Sequence, residues 1–379
     1  MIYLDHNATT PLDARVLEAM LPYLRQQYGN PSSTHQHGRV ARRAIEGARE
    51  QVAALVNARP EQIVFTSGGT EANHLALLGA LQDETPARLT VSAVEHASVR
   101  GAAQLLEKRG WQVDVIAVDA QCRVAPDIEP YLHADTRLVS VMWANNETGV
   151  VQDIRAIANR VRRRDAVLHT DATQAAGKVA LDFAASGAQL MTLAAHKMYG
   201  PKGVGALVAE RASLLKPLLQ GGAQEKGLRA GTENVAAIVG FGAAAELARC
   251  ELNARMTEWR ALRDKLESGL RALGIAPFAQ HAERLPNTVQ FCVPQFAGET
   301  LLEKLDQAGF TLSSGSACSS GEIAPSHVLT AMGIAREHLR NVLRVSLGAG
   351  NTMADVDAFC QALTVLVQNS RSWRSALAV

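Results

Sequence analysis

Between about residues 60 and 210, short β-rich runs alternate with amphipathic helical segments, and that alternation restricts the chain to few architectures. The expected strands are Gln62-Thr66, Arg88-Ala93, Gln112-Val118, Leu138-Met142, Val167-His169, Gln189-Leu193 and Val204-Ala209. Helical patterns at Ala72-Leu81, Ser98-Lys108 and Ile154-Arg162 lie between them. Strands separated by helices are joined by crossovers, so the expected fold is α/β, with a mainly parallel seven-stranded sheet between helices. Ligands of such sheets gather beyond the carboxyl ends of the strands, where several polar motifs of this chain fall.

Downstream, residues 233–272 read as long helices ending near Gly274 and Pro277. The remainder mixes strands (Thr288-Val293, Val342-Ser346) with helices (Glu299-Ala308, Ala354-Val367) and reads as a smaller α+β domain. The expected partition is a large domain over 15–255 and a small one built from 1–14 and 256–379. At 379 residues, 47% hydrophobic and 20% charged, the chain can bury a sizeable core. A formal charge of +1 gives no global field for nucleic acid or an anionic membrane. The local run Arg160, Arg162, Arg163, Arg164 follows a helical stripe and reads as a solvated helix end.

The N-terminus reaches Asp5 and His6 too soon for a secretory signal, and no apolar stretch is long enough to span a bilayer, so the cytoplasm is the expected location. Five cysteines, at 122, 250, 292, 318 and 360, form neither a CxxC pair nor a cluster at zinc-ligand spacing. Neither a disulfide framework nor a metal is expected. Cys318 differs from the others in lying within Ser313-Ser-Gly-Ser-Ala-Cys318-Ser-Ser-Gly321, a segment with little to pack. It reads either as an accessible working thiol on a loop or as a linker that contains a cysteine.

Three further segments carry chemistry. Strand Gln62-Thr66 runs into Ser67-Gly68-Gly69-Thr70-Glu71 and then a helix, an arrangement that suits an anion but also an ordinary capped helix. After Val167-His169 comes Asp171-Ala-Thr-Gln174, whose acid could simply cap a helix. After Gln189-Leu193 comes His196-Lys197 and then Gly200-Pro-Lys-Gly203; a lysine between an apolar strand and a tight turn is placed for partial burial, which frees its amine for Schiff-base chemistry.

Together and in this order, with Tyr3-Leu-Asp5, Asn7-Ala-Thr-Thr-Pro11 and Arg344-Val-Ser-Leu-Gly348, these motifs resemble the NifS/IscS-type (group I) cysteine desulfurases, members of the class V aminotransferases and of the fold type I pyridoxal-phosphate enzymes. The resemblance covers nearly the whole chain. It implies that Lys197 binds pyridoxal 5'-phosphate as a Schiff base and moves the substrate Cα proton, that Asp171 keeps the pyridine nitrogen protonated, and that Gln174 bonds the phenolic oxygen. By the same resemblance His96 stacks on the ring and shuttles protons, and Asn146 contacts cofactor or substrate. The phosphate falls to Gly69, Thr70, His196 and Thr232, the last reaching across from a partner subunit of an obligatory homodimer. Arg344 and Asn30 hold the carboxylate of L-cysteine, and Cys318 takes the sulfur as a persulfide, leaving alanine, and passes it to an acceptor protein, an iron-sulfur scaffold or another sulfur carrier.

Ala194 departs from the pattern, since the family often has Ser or Thr there, bonded to the phosphate. A selenocysteine lyase or another class V aminotransferase is the nearest alternative, and a non-catalytic sulfur-transfer scaffold a more distant one. The Cys318 segment argues against a plain aminotransferase, which needs no thiol nucleophile, but does not exclude selenocysteine as the substrate, and intact Lys197, Asp171, His96, Arg344 and Cys318 argue against the scaffold.

Overall fold

Alternate residues of the central strands enter two different apolar clusters, which makes the sheet the middle layer of the molecule. In the computed structural model, which describes residues 1–125, 127–294, 296–314 and 325–377, the strands are β1 (Ile2–Tyr3), β2 (Ile63–Thr66), β3 (Arg88–Ser92), β4 (Gln112–Ile116), β5 (Thr136–Ser140), β6 (Val167–Asp171), β7 (Leu190–Ala194), β8 (Gly205–Ala209), β9 (Thr288–Cys292), β10 (Phe310–Thr311) and β11 (Val342–Ser346). Seven of them form one sheet in the order β2-β8-β7-β6-β5-β3-β4, parallel except for β8, which runs antiparallel to both neighbours. Ile63 and Phe65 of β2 face one cluster and Val64 faces the other; Met191 and Leu193 of β7 likewise oppose Leu190. Burial on both faces explains why these strands read as continuous apolar runs.

All seven expected strands are present, with shifted ends. β5 starts and stops two residues early, because Met142 and Trp143 already turn into the following loop. β6 runs on to Asp171, whose backbone still pairs with Thr192 of β7, so the acid is the last residue of a strand and not the first of a turn. The expected Ala72-Leu81 helix begins earlier, at Gly69, and widens to a π-helical turn over Leu75–Gly79.

The long helices expected over 233–272 are one continuous 38-residue helix, Val235–Ala272. Its first half, through Ala248, packs in the large cluster, and Trp259, Leu262, Leu266 and Leu270 pack in a second cluster with β9, β10 and β11. Leu4 of the N-terminal arm belongs to that second cluster, because β1 pairs in parallel with β10 and Asp5 bridges to Ser346. The same arm then crosses to the large sheet, where Thr10 donates through both its N–H and its hydroxyl to the His196 carbonyl, each at 3.0 Å. Among the described residues no helix is long and apolar enough to cross a membrane, and no group of three or more His, Cys, Asp and Glu could hold a metal ion.

Gly205 shows how tightly the loop after β2 is seated on β8. A Cβ there would come within 2.6 Å of the Gly68 carbonyl carbon and 2.7 Å of the Leu193 carbonyl oxygen, both rigid backbone. We therefore expect Gly205→Ala to destabilise the protein by about 1–3 kcal/mol through overpacking. The check is denaturant unfolding; a midpoint equal to that of the parent protein would show that the loop yields freely.

Candidate active site

Strands β2, β3, β5, β6 and β7 all point their carboxyl ends to one side, and the segments leaving them wall a cavity of about 220 Å³. Gly69 and Thr70 come from β2, His96 from β3, Met142, Ala144 and Asn146 from β5, Asp171, Thr173 and Gln174 from β6, and Ala194, His196 and Lys197 from β7. Asn73 and Ser98 on the helices after β2 and β3, Asn7 and Ala8 of the arm, and Arg344 of β11 complete the wall, so strand β11 contributes directly to the site.

Asp171 occupies the floor and is 5% exposed. Its Oδ1 accepts from the Thr173 N–H at 2.9 Å and its Oδ2 from Asn73 Nδ2 at 2.8 Å. Lys197 Nζ donates to the carbonyls of Asn7, at 2.6 Å, and Ala8, at 2.7 Å. Gln174 Nε2 donates to the same Asn7 carbonyl at 2.9 Å. On the rim, His196 Nδ1 lies 3.2 Å from Thr9 Oγ1, and burial, with Lys197 and Lys202 nearby, pulls its pKa down to about 4. It is a neutral ring at pH 7.

Arg344 is 3% exposed and is no surface ion pair. Its Nη2 donates to Asp5 Oδ1 at 2.6 Å and its Nη1 to the Asn146 carbonyl at 3.0 Å, while Nε is buried without a partner. Its backbone exchanges two hydrogen bonds with Ser313, where the Ser313–Gly321 segment begins. Cys318 itself lies outside the described residues. Just beyond the segment, Ser326 Oγ donates to the buried Glu147 carboxyl at 2.5 Å, and His327 Nε2 sits 3.0 Å from the Glu95 carbonyl. The described residues flanking the Cys318 segment are therefore fastened to Arg344 of the cavity wall on one side and, on the other, to Glu147 and Glu95, which adjoin the wall residues Asn146 and His96.

Two expected residues lie elsewhere. Asn30 is exposed, its Oδ1 capping the Ser32 N–H at 2.9 Å, and it does not line the cavity. Thr232 is likewise exposed and outside the cavity wall of its own chain. Its loop is fastened upstream by Glu225, whose carboxylate takes a bidentate pair from buried Arg49 and an N–H from Phe65 of β2.

Four side chains that matter were not singled out from the sequence. Asn73 bridges Asp171 and Ser98 Oγ, each at 2.8 Å; its signal was a polar residue in the buried stripe of the helix after Thr70. Lys178 is 2% exposed and donates to Asn7 Oδ1 and Gln174 Oε1, both at 2.8 Å. Burial, reinforced by Lys197 and Arg344, holds its amine well below the usual lysine range. Its signal was a lysine in the apolar run Ala175–Leu181, four residues after Gln174. Thr173 and Asn7 sat inside quoted motifs without a role.

The donor set fits a phosphorylated aldehyde cofactor of the pyridoxal type. It combines a primary amine, a floor carboxylate and the N-terminal turn of a helix at Gly69-Thr70. Thr173 Oγ1 adds an observation of its own: it is buried, without a hydrogen-bond partner, and 3.2 Å from where a Cβ on Gly69 would stand. Buried hydroxyls are rarely left unsatisfied. This one stands beside Ala194, where a family hydroxyl is missing.

The chain was compared with known families and structures. The family model described as "Aminotransferase class-V" matches residues 2–359. A protein of Archaeoglobus fulgidus named "Cysteine desulfurase IscS 1" is 43% identical over 376 residues, 98% of each chain. A solved "NifS-like protein" superposes with a TM-score of 0.91 at 34% identity, covering 97% of this chain and 99% of that one. Another, "SspA in complex with cysteine", has a TM-score of 0.81 at 34% identity, with 92% and 99% covered.

Two outcomes follow from the geometry. Thr173→Val, nearly equal in shape, should weaken binding of pyridoxal phosphate to the apoprotein roughly threefold to tenfold, the worth of one neutral hydrogen bond; a titration followed by cofactor absorbance with unchanged affinity removes Thr173 from the set. His169, beneath Asp171, lies between Ser140 Oγ and Thr192 Oγ1, and burial lowers its pKa to about 4. The unfolded chain protonates this group from about pH 6.5 downward and the folded chain only near 4, so stability falls as pH drops through that window. Between pH 7 and 5 the loss from this group is on the order of 2 kcal/mol, and His169→Asn should show a shallower decline of Tm over that range.

Proposed function

Since the chain belongs to the class V aminotransferase family, among its NifS/IscS-type cysteine desulfurases, it is a pyridoxal-phosphate enzyme, and we propose the following division of labour for converting L-cysteine to L-alanine with transfer of sulfur to Cys318. The observation that carries the proposal is the placement of Lys197 Nζ, fixed by two carbonyls, in one cavity with Asp171, His96, Gln174 and Arg344. A relative of the same fold in complex with cysteine supports the choice of substrate.

When bound, pyridoxal phosphate supplies an electron sink for negative charge at the substrate Cα. Lys197 would hold it through Nζ, and the same amine would take and return a proton at the substrate Cα. Asp171, held rigid by Thr173 N–H and Asn73, keeps a proton on the ring nitrogen by placing a negative charge beside it. Gln174, whose Oε1 is occupied by Lys178 and whose Nε2 donates to the Asn7 carbonyl, would give its second Nε2 hydrogen to the phenolic oxygen. Gly69, Thr70, His196 and Thr173 hold the phosphate, joined by Thr232 from a second subunit of a homodimer. Arg344 orients the substrate carboxylate, its guanidinium already aimed by Asp5 and Asn146. Asn146 lines the substrate end of the cavity, and Asn30 serves the substrate only if its turn is brought in by assembly.

The thiolate of Cys318 attacks the substrate sulfur; as the new sulfur–sulfur bond forms, the Cβ–S bond breaks, its electron pair stays with the carbon fragment, which gains a proton at Cβ and is released as alanine, and the sulfur remains on Cys318 as a persulfide. Reach is consistent with this role. Ser313 is bonded to Arg344 at the cavity wall, and five residues of chain span at most about 17 Å. The persulfide then goes to an acceptor protein, an iron-sulfur scaffold or a sulfur carrier, in the cytoplasm.

The experiment is to incubate the protein with L-cysteine and measure alanine together with protein-bound sulfane sulfur. Wild type should produce both. We expect Cys318→Ala to lose bound sulfur and at least about 100-fold of alanine formation, about 2.7 kcal/mol of barrier, and Lys197→Ala to lose turnover altogether. Persulfide formed by Cys318→Ala at the wild-type rate would remove Cys318 from the mechanism.

A further inference from the structure

The ring of His96 is wired to the cavity floor by hydrogen bonds whose direction is forced at both ends. His96 is the N-cap of the Ala97–Lys108 helix, and its Nδ1 accepts from the Ser98 backbone N–H at 3.2 Å. A backbone N–H only donates, so Nδ1 must be the bare nitrogen. The second argument starts from Asp171. A carboxylate only accepts, so the group facing its Oδ2 at 2.8 Å is the Asn73 amide nitrogen. That nitrogen's other hydrogen goes to Ser98 Oγ, also at 2.8 Å. Because the Ser98 backbone N–H already makes Nδ1 an acceptor, the Ser98 hydroxyl, 2.8 Å from that nitrogen, donates its own hydrogen to it while accepting from Asn73.

We propose that Asn73 and Ser98 are positioning residues that lock His96 in the neutral tautomer bearing its proton on Nε2, so that an entering substrate meets a hydrogen-bond donor at this ring and not a base. Two donors converge on Nδ1, one from the helix backbone and one relayed from Asp171. A proton placed on Nδ1 would point at the Ser98 N–H and forfeit the helix cap. Among the described residues, Arg100 lies one turn along the same helix, and His327 is engaged with the Glu95 carbonyl. The atom suited to this donor is electron-rich, such as the sulfur or a carboxylate oxygen of the amino-acid substrate. The ring's use as a proton acceptor then requires the relay to be broken first. This assignment deepens the reading of the cavity as a desulfurase site, but the state of the ring is measurable whether or not desulfuration is observed.

The test uses full-length apoprotein labelled with ¹⁵N-histidine, with the His96 resonances identified by their loss in His96→Gln. At pH 7 the expected spectrum has an unprotonated, hydrogen-bonded Nδ1 and a protonated Nε2. A proton on Nδ1, or on both nitrogens, overturns the proposal, and this arm needs no variant that might fold poorly beyond the one used for assignment. In Ser98→Ala the Nδ1 resonance should move toward that of an unbonded imidazole nitrogen, and Ser98→Thr should return it. An Nδ1 resonance unmoved by Ser98→Ala overturns the relay.

Discussion

A single residue of the N-terminal arm, Asn7, joins the parts of the molecule that must meet for the cavity to exist. Its carbonyl accepts from Lys197 of β7's exit loop and from Gln174 beyond β6. Its side-chain oxygen accepts from Lys178 at 2.8 Å and Asn287 at 3.3 Å, and its amide nitrogen donates to Thr288 Oγ1 at 2.9 Å and the Asn146 carbonyl at 3.3 Å. Its backbone N–H donates to Ser346 Oγ. One buried residue thus ties the large sheet to β9 and β11 through polar bonds that apolar packing could not direct. Buried polar networks are costly when half satisfied and specific when complete. Here completeness fixes where the amine of Lys197 sits.

This dependence explains what the sequence could and could not reveal. The sheet was legible because strands buried on both faces are continuous apolar runs, and crossovers impose their order. The line from β2, β6 and β7 to Gly69, Asp171 and Lys197 was legible because each motif follows a strand. Asn7 was not, because its role depends on seven contacts more than 130 residues away in sequence, and a short polar residue in an N-terminal arm carries no periodic signal. Lys178 was hidden by the opposite effect: in an apolar run a lone lysine reads as a solvated turn, and only the structure shows it enclosed by two amide oxygens. Asn30 and Thr232 were reached by resemblance alone, and a single chain leaves both exposed.

The neighbours of Asp171 share a property that no motif encodes. Burial lowers the pKa of His169 to about 4 and raises that of Glu95 to about 8, so both are shifted toward their neutral forms. Glu95 accepts from Ser92 Oγ and the Met142 N–H through one oxygen and leaves the other buried without a partner. His196 on the rim is neutral for the same reason. A charge in a poorly solvated site acts over longer range than one in water, so extra charges near the floor would blur the effect of the carboxylate. By holding His169 and Glu95 toward their neutral forms, the protein leaves the Asp171 carboxyl with fewer competing charges at the cavity floor. The hydrogen bonds from Thr173 and Asn73 that hold this acid also carry its influence, through Ser98, to His96.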